Sequence, residues 1–204
     1  MKNFIWDFDG TLYDTYPVML QALLKTLHDY QQVLPAEEVY RKIKETSIRQ
    51  LITELPVPQK EFDETYHRYE ALRLTESFPF EATPDVLAAL KAVGAQHFIL
   101  THRTVESTWQ LLKRDGLADF VTEIIGSDSG FPRKPDPTSL EHLIVRHQLD
   151  KKQTVMVGDR PLDIKAGENA GIQTIFYNRD GFANPVAPDF EVTSLREILP
   201  LAAK

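Results

Sequence analysis

The chain has 204 residues, 42% hydrophobic and 26% charged, with Gly 9 and Pro 13 scattered along it, a composition that excludes a disordered or low-complexity chain and suits one large domain or a domain with an insertion. A formal charge of -7, from 23 Lys and Arg against 30 Asp and Glu, gives no global attraction to nucleic acid or to an anionic membrane. With Cys 0, disulfides, thiolate metal sites and cysteine nucleophiles are excluded; Met1-Lys2-Asn3-Phe4 shows no cleavage-site pattern, so the expected setting is the cytoplasm.

Phe4-Ile5-Trp6 is the first strand-length apolar run; others follow at 98–100, 124–125, 155–157 and 175–177. Each is nearly continuous rather than alternating, which predicts strands buried on both faces in a parallel sheet covered by helices. Between the first and second runs that rhythm breaks. No strand is expected from Trp6 to Phe98, and residues 16–76 read as helices: Leu20, Leu23, Leu24 and Leu27 share one face. Val39, Ile43, Ile48, Leu51 and Ile52 predict a second helix or a pair, and Phe62, Tyr66, Tyr69 and Leu72 another. These segments form an inserted helical bundle, with Pro79 and Pro84 bracketing the return. Helices are then expected over 83–93, 104–114, 136–146, 160–170 and 193–199, with Pro84 and Pro137 marking starts and Gly94, Gly116 and Gly171 marking stops. The fold class is therefore α/β: a doubly wound, mainly parallel sheet interrupted by an α-helical insertion.

Ligands of open α/β sheets bind outside the carboxyl ends of the strands, so chemistry is sought just after each run. There stand Asp7-Phe8-Asp9-Gly10-Thr11, Thr101-His102-Arg103, Arg133-Lys134-Pro135 and Gly158-Asp159-Arg160-Pro161-Leu162-Asp163. Four acids converging on one sheet edge repel one another unless a cation neutralises them, and oxygen ligands without imidazole or thiolate suit Mg2+. A carboxylate, Mg2+, a lysine and a hydroxyl around a phosphoryl group can carry out phosphoryl transfer. Asp7 and Asp9 cannot both attack one phosphorus; one attacks while the other donates a proton to the leaving oxygen and then activates water.

Each residue also has a plainer reading. Asp7 to Gly10 could be turn chemistry. An EF-hand start fails, since aligning Asp7, Asp9 and Gly10 to its third, fifth and sixth positions puts Ile5 at the first and Tyr16 at the twelfth. Thr101 could cap the helix at Val105, Lys134 could be a solvated loop lysine, and Asp163 could be a first-turn acid on a helix dipole. His28, His67, His97, His142 and His147 show no ligand spacing and read as structural or surface residues. Arg41, Lys42, Lys44, Arg49, Arg68 and Arg73 read as a solvated helix face; Ser47 and Arg49 are the better substrate-binding candidates because they lie at a break between helices.

Asp7-Phe8-Asp9-Gly10-Thr11-Leu12-Tyr13-Asp14, then Thr101, Lys134 and Gly158-Asp159-x-x-x-Asp163 in that order, strongly resemble the four motifs of the haloacid dehalogenase (HAD) superfamily, spread from residue 7 to residue 163. The resemblance implies a Rossmann-like catalytic core over 1–14 and 80–204 and a helical cap over 15–79, as in the phosphoglycolate phosphatase-like and β-phosphoglucomutase-like branch. It implies Asp7 as nucleophile, Asp9 as general acid/base and Lys134 as the third catalytic residue. Thr101 would bind the phosphoryl oxygens, with His102 and Arg103 beside it. Asp7, the Asp9 backbone carbonyl, Asp159 and, as an auxiliary acid, Asp163 would make the Mg2+ site. Asp9 points to phosphate esters rather than haloacids. Tyr16-Pro17-Val18-Met19 stands where the family's sugar phosphomutases carry a histidine, and His102 and Arg160 stand where asparagine and serine are more usual. The expected function is a Mg2+-dependent phosphatase of a small phosphorylated metabolite, with a phosphomutase, a receiver-like domain or a non-catalytic phospho-ligand binder as rivals. In a receiver domain the acid pair precedes a later phosphorylated Asp and no helical insertion occurs, which is not the order here.

Overall fold

The computed structural model describes residues 1–202, so the last two residues of the sequence-assigned core lie outside the described residues. In chain order come β1 (Asn3–Trp6), β2 (Tyr13–Asp14), α1 (Tyr16–Asp29), α2 (Ala36–Glu45), α3 (Ile48–Glu54), α4 (Gln59–Leu72) and β3 (Phe78–Pro79). Then follow α5 (Thr83–Ala92), β4 (Gln96–Leu100), α6 (Val105–Arg114), β5 (Val121–Ile125), α7 (Thr138–Arg146), β6 (Thr154–Gly158), α8 (Pro161–Ala170), β7 (Gln173–Tyr177), β8 (Phe190–Val192) and α9 (Ile198–Ala202). The chain divides into two compact units, one of Met1–Tyr13 with Pro79–Lys204 and one of Asp14–Phe78.

In the first unit, six strands among the described residues form one sheet in the order β5-β4-β1-β6-β7-β8. All neighbours run parallel, with Ile5 opposite both Phe98 and Met156. Every residue of β1 and β6 is buried, which is why their sequences are apolar without alternation. On one face Ile5, Phe98, Leu100, Ile125 and Met156 pack with Leu140, Leu143 and Ile144 of α7 and Ala166 and Ala170 of α8. On the other, Phe4 stacks on Trp6 and the Trp6 indole N–H donates to His97 Nδ1 at 3.1 Å. His97 Nε2 lies 3.2 Å from Leu87 O of α5, so helices cover both faces and the sheet is doubly wound.

The second unit is helical. Leu23, Leu27, Val39, Ile43, Leu51, Ile52, Phe62 and Tyr66 form its core, and the pair of helices expected around residue 47 is α2 and α3. Lys44 corrects the solvated-face reading: it is buried at 5% exposure, its ammonium 4.7 Å from the centre of the Tyr16 ring. Leu72 is exposed, not core.

Four further differences concern strands not expected and element bounds. β2 and β3 occur where no strand was expected; two residues each is too short for any period to register. β8 was unread because three residues after a proline-containing loop carry no strand signature, yet it pairs in parallel with β7. α7 begins at Thr138 rather than at Asp136, whose carboxylate accepts the Thr138 N–H at 2.9 Å from outside the helix. The last expected helix begins instead with Ser194 and Glu197 in a capping box around a 3-10 turn, and α9 follows. No helix among the described residues is long and apolar enough to cross a membrane.

Candidate active site

Every core residue singled out by the motifs stands at a carboxyl end of the parallel strands. Asp7 follows β1 directly, and its N–H donates to Val157 O of β6 at 2.8 Å. Thr101 continues β4 the same way, its N–H donating to Ile125 O at 3.0 Å. Asp159 follows β6, and Asp163 sits in the first turn of α8. Gly158 makes that approach possible: a Cβ there would lie 2.3 Å from the Cβ of Asp163, inside any real contact, so no side chain fits.

Lys134 is the hub. Its Nζ lies 2.5 Å from Asp7 Oδ1, 2.6 Å from Asp163 Oδ1 and 2.9 Å from Leu100 O, donating hydrogen bonds to the first and the last. All three charged side chains are 0% exposed, which rules out the solvated-lysine reading. The Asp163 contact is a close charge pair without hydrogen-bond alignment, since Oδ1 of that residue has no aligned donor. Its other oxygen accepts the Arg160 N–H at 3.1 Å in a capping box, so Asp163 is at once an acid of the first turn of α8 and part of the charge cluster.

Arg160 completes the cluster. Its guanidinium stands 3.7 Å from Asp7 Oδ2 and 3.9 Å from both Asp159 Oδ1 and Asp163 Oδ2. The sequence marked it only as a departure from the usual serine; its place directly after Asp159 was the available signal. Thr11, not singled out as a site residue, donates to Asp159 Oδ1 at 3.4 Å. Burial and the Asp163 carboxylate push the Asp7 pKa up to about 7, against the pull of Lys134 and Arg160. Asp7 Oδ2 is buried and accepts no hydrogen bond, so one oxygen of this carboxylate is held and the other is left to react.

The donor set fits a hard divalent cation. Oxygens of Asp7, Asp159 and Asp163, all buried, lie within 4.8 Å of one another, with no imidazole or thiolate among them. When all three carboxylates are ionised they face two cations, Lys134 and Arg160, leaving a buried negative surplus of one charge for which an oxygen-seeking cation is the natural complement.

Asp9 is apart from this triad. Its carboxylate pairs with Arg103, which the sequence had grouped with Thr101 and His102. Thr101 is not a helix cap; that role belongs to Thr104, whose hydroxyl accepts the Ser107 N–H. Thr101 Oγ1 accepts the Arg103 N–H at 3.1 Å, which leaves its own proton available to an anion. His102 lies beside it, lining a small cavity with Thr101, Phe131, Lys134 and Ser139. Ser47 and Arg49 belong to the helical unit. There Ser47 caps α3 by accepting the Gln50 N–H at 3.0 Å, and Arg49 is exposed on that helix.

Residues 4–177 match the family model described as haloacid dehalogenase-like hydrolase. A phosphoglycolate phosphatase of Vibrio vulnificus (strain YJ016) is 26% identical over 98% of this chain and 95% of its own length. Pyrophosphatase PpaX of Bacillus thuringiensis (strain Al Hakam) is 26% identical over 98% of this chain and 96% of its own. The crystal structure of a hydrolase from Streptococcus pneumoniae TIGR4 is 32% identical with a TM-score of 0.64, over 98% of this chain and all 100% of that one.

Proposed function

This chain belongs to the haloacid dehalogenase-like hydrolases, and from that premise we propose that it is a Mg2+-dependent phosphatase that hydrolyses a small phosphate monoester through an aspartyl-phosphate on Asp7. The observation that carries the reading is the Asp7 carboxylate itself, with Oδ1 gripped by Lys134 and Oδ2 buried without a hydrogen-bond donor. Oδ2 attacks phosphorus; the bond from phosphorus to the leaving oxygen breaks, and that oxygen takes a proton from Asp9. Water then attacks the same phosphorus, gives one proton to the Asp9 carboxylate, and the bond to Asp7 breaks, restoring both residues and releasing phosphate.

Thr101 donates its hydroxyl proton to a phosphoryl oxygen, and Lys134 and Arg160 offset charge there while Lys134 keeps Asp7 in line. Asp7, Asp159 and Asp163 would hold Mg2+, with the Asp9 carbonyl as a fourth oxygen; when bound it supplies charge neutralisation and Lewis acidity at the phosphoryl group. In this reading residues 1–14 and 80–204 are the catalytic core, residues 15–79 are a cap that sets specificity, and the enzyme works in the cytoplasm. The names of the two curated relatives put phosphoglycolate and pyrophosphate first among substrates to try.

The test is phosphate release from a panel of these compounds, sugar phosphates, nucleotides and cofactor phosphates, with Mg2+ or with EDTA, by wild type and Asp7→Asn. Release that needs Mg2+ and vanishes in Asp7→Asn is expected. Full activity in EDTA would sink the metal assignment, and wild-type turnover by Asp7→Asn would sink the nucleophile. Phosphate passed back to the substrate rather than to water would make the enzyme a mutase.

A further inference from the structure

The Arg103 side chain reaches a residue 94 positions away: its Nε and Nη2 both point to Asp9 Oδ1, at 3.0 and 2.8 Å. The two side chains are 8% and 10% exposed, so this is not a solvated surface pair. Two N–H groups on a single oxygen fix the rotation of that carboxylate and leave Oδ2 as the edge outside the contact.

The backbone of Arg103 is itself anchored on both sides. Its N–H donates to Thr101 Oγ1 at 3.1 Å, and its carbonyl accepts the Ser127 N–H at 2.9 Å. Gly126 lets the loop after β5 close onto it: a Cβ there would lie 2.6 Å from Arg103 O and 2.8 Å from Val105 N. An arginine meant to reach for a substrate has no need of a backbone held this closely while its guanidinium is spent on a neighbouring acid.

We propose that Arg103 is a positioning residue for Asp9 rather than a substrate ligand: it holds the Oδ1 edge so that Oδ2 faces the leaving oxygen in the first step and water in the second. The inference rests on the acid/base reading of Asp9 above. It assigns Arg103 a different role from that of Thr101, although the two are neighbours in one motif.

The experiment compares wild type, Arg103→Met, Arg103→Lys and Asp9→Asn on two aryl esters with Mg2+ present, phenyl phosphate with a poor leaving group and p-nitrophenyl phosphate with a good one. Misaligning a reacting group by about 1 Å can cost on the order of 100-fold, so Arg103→Met is expected to lose about 10- to 100-fold in kcat on phenyl phosphate. Its KM should stay near wild type and its loss on p-nitrophenyl phosphate should be smaller, with Arg103→Lys recovering part of the rate. Arg103→Lys is also the informative variant if the methionine chain does not fold. A rise in KM of equal size on both esters would make Arg103 a substrate ligand and overturn the proposal, as would unchanged kinetics in both variants. Asp9→Asn separates the two levels. If it loses turnover on phenyl phosphate while Arg103→Met does not, only the positioning role fails; if it loses none, the reading of Asp9 fails and takes the inference with it.

Discussion

Replacing Lys134 by Met removes the ammonium and keeps most of the side chain's volume, leaving Asp7 and Asp163 buried without the cation that stands 2.5 and 2.6 Å from them. Removing one partner of a buried charge cluster costs about 3–5 kcal/mol. Of the usual native stability of about 5–15 kcal/mol, all but the lowest part survives that loss, and the variant is expected to fold. At a urea slope of about 2 kcal/mol/M the unfolding midpoint should fall by about 2 M. Trp6 and Trp109 both lie in the sheet unit, so tryptophan fluorescence reports this unit alone and avoids the mixed transition of a two-unit chain.

The pH dependence provides a second check. In the metal-free protein Asp7 titrates near 7 against 3.8 in the unfolded chain, so between these values the folded state binds more protons and stability falls as pH rises. Without Lys134 the carboxyl goes higher still, and the decline should continue beyond pH 7. The deficit of Lys134→Met relative to wild type should therefore be larger at pH 8 than at pH 5.5, measured by urea unfolding in EDTA, and phosphate release should be lost at both. A midpoint equal to wild type at pH 8, or a deficit independent of pH, would refute the claim that Lys134 neutralises two buried carboxylates.

In thermal melts Mg2+ should raise the transition of wild type, as any ligand of the folded state does, and Asp159→Ala should abolish that rise with modest loss of intrinsic stability. Asp163→Ala should lower stability more in EDTA, because it removes both the acceptor of the Arg160 N–H at the start of α8 and a partner of Lys134. Gly158→Ala should lose activity and about 1–3 kcal/mol, since its methyl group would drive Asp163 out of place; wild-type kinetics would refute the packing argument. His97 is held neutral by burial, with its pKa lowered to about 4 from 6.5, so below pH 6.5 the unfolded chain takes up a proton that the folded one excludes. Stability should drop by about 2 kcal/mol between pH 6.5 and pH 5 through this group, and the wild-type minus His97→Gln difference in urea midpoint isolates it from the opposite trend of Asp7.

The strand positions and the four clusters after them were legible because a parallel sheet imposes two local signatures at once: an unbroken apolar run, and polar residues where it ends. Phe4-Ile5-Trp6 before Asp7 and Val155-Met156-Val157 before Asp159 show both, and the sheet register brings these runs side by side. What was illegible needed a partner distant in sequence. The 94-residue reach of Arg103 to Asp9 has no local trace, since an arginine beside Thr101 looks the same whether it faces a substrate or an acid. Lys44 read as one lysine among several on a charged helix, and only the placement of the Tyr16 ring accounts for its burial.

The same distinction explains why the site tolerates so many buried charges. Asp7 and Asp163 are matched by Lys134 and Asp9 by Arg103, cations from distant segments, while Arg160, next to Asp159 in sequence, lies near Asp7, Asp159 and Asp163. With all four acids ionised, Asp9 and Arg103 cancel, while Lys134 and Arg160 fall one charge short of the three remaining carboxylates. That shortfall lies where three carboxylate oxygens cluster and where the Asp7 oxygen that accepts no hydrogen bond is buried. A divalent cation more than closes it, leaving the pocket with a net positive charge of one, and a pocket of that sign attracts a phosphate that the chain as a whole, at -7, would repel.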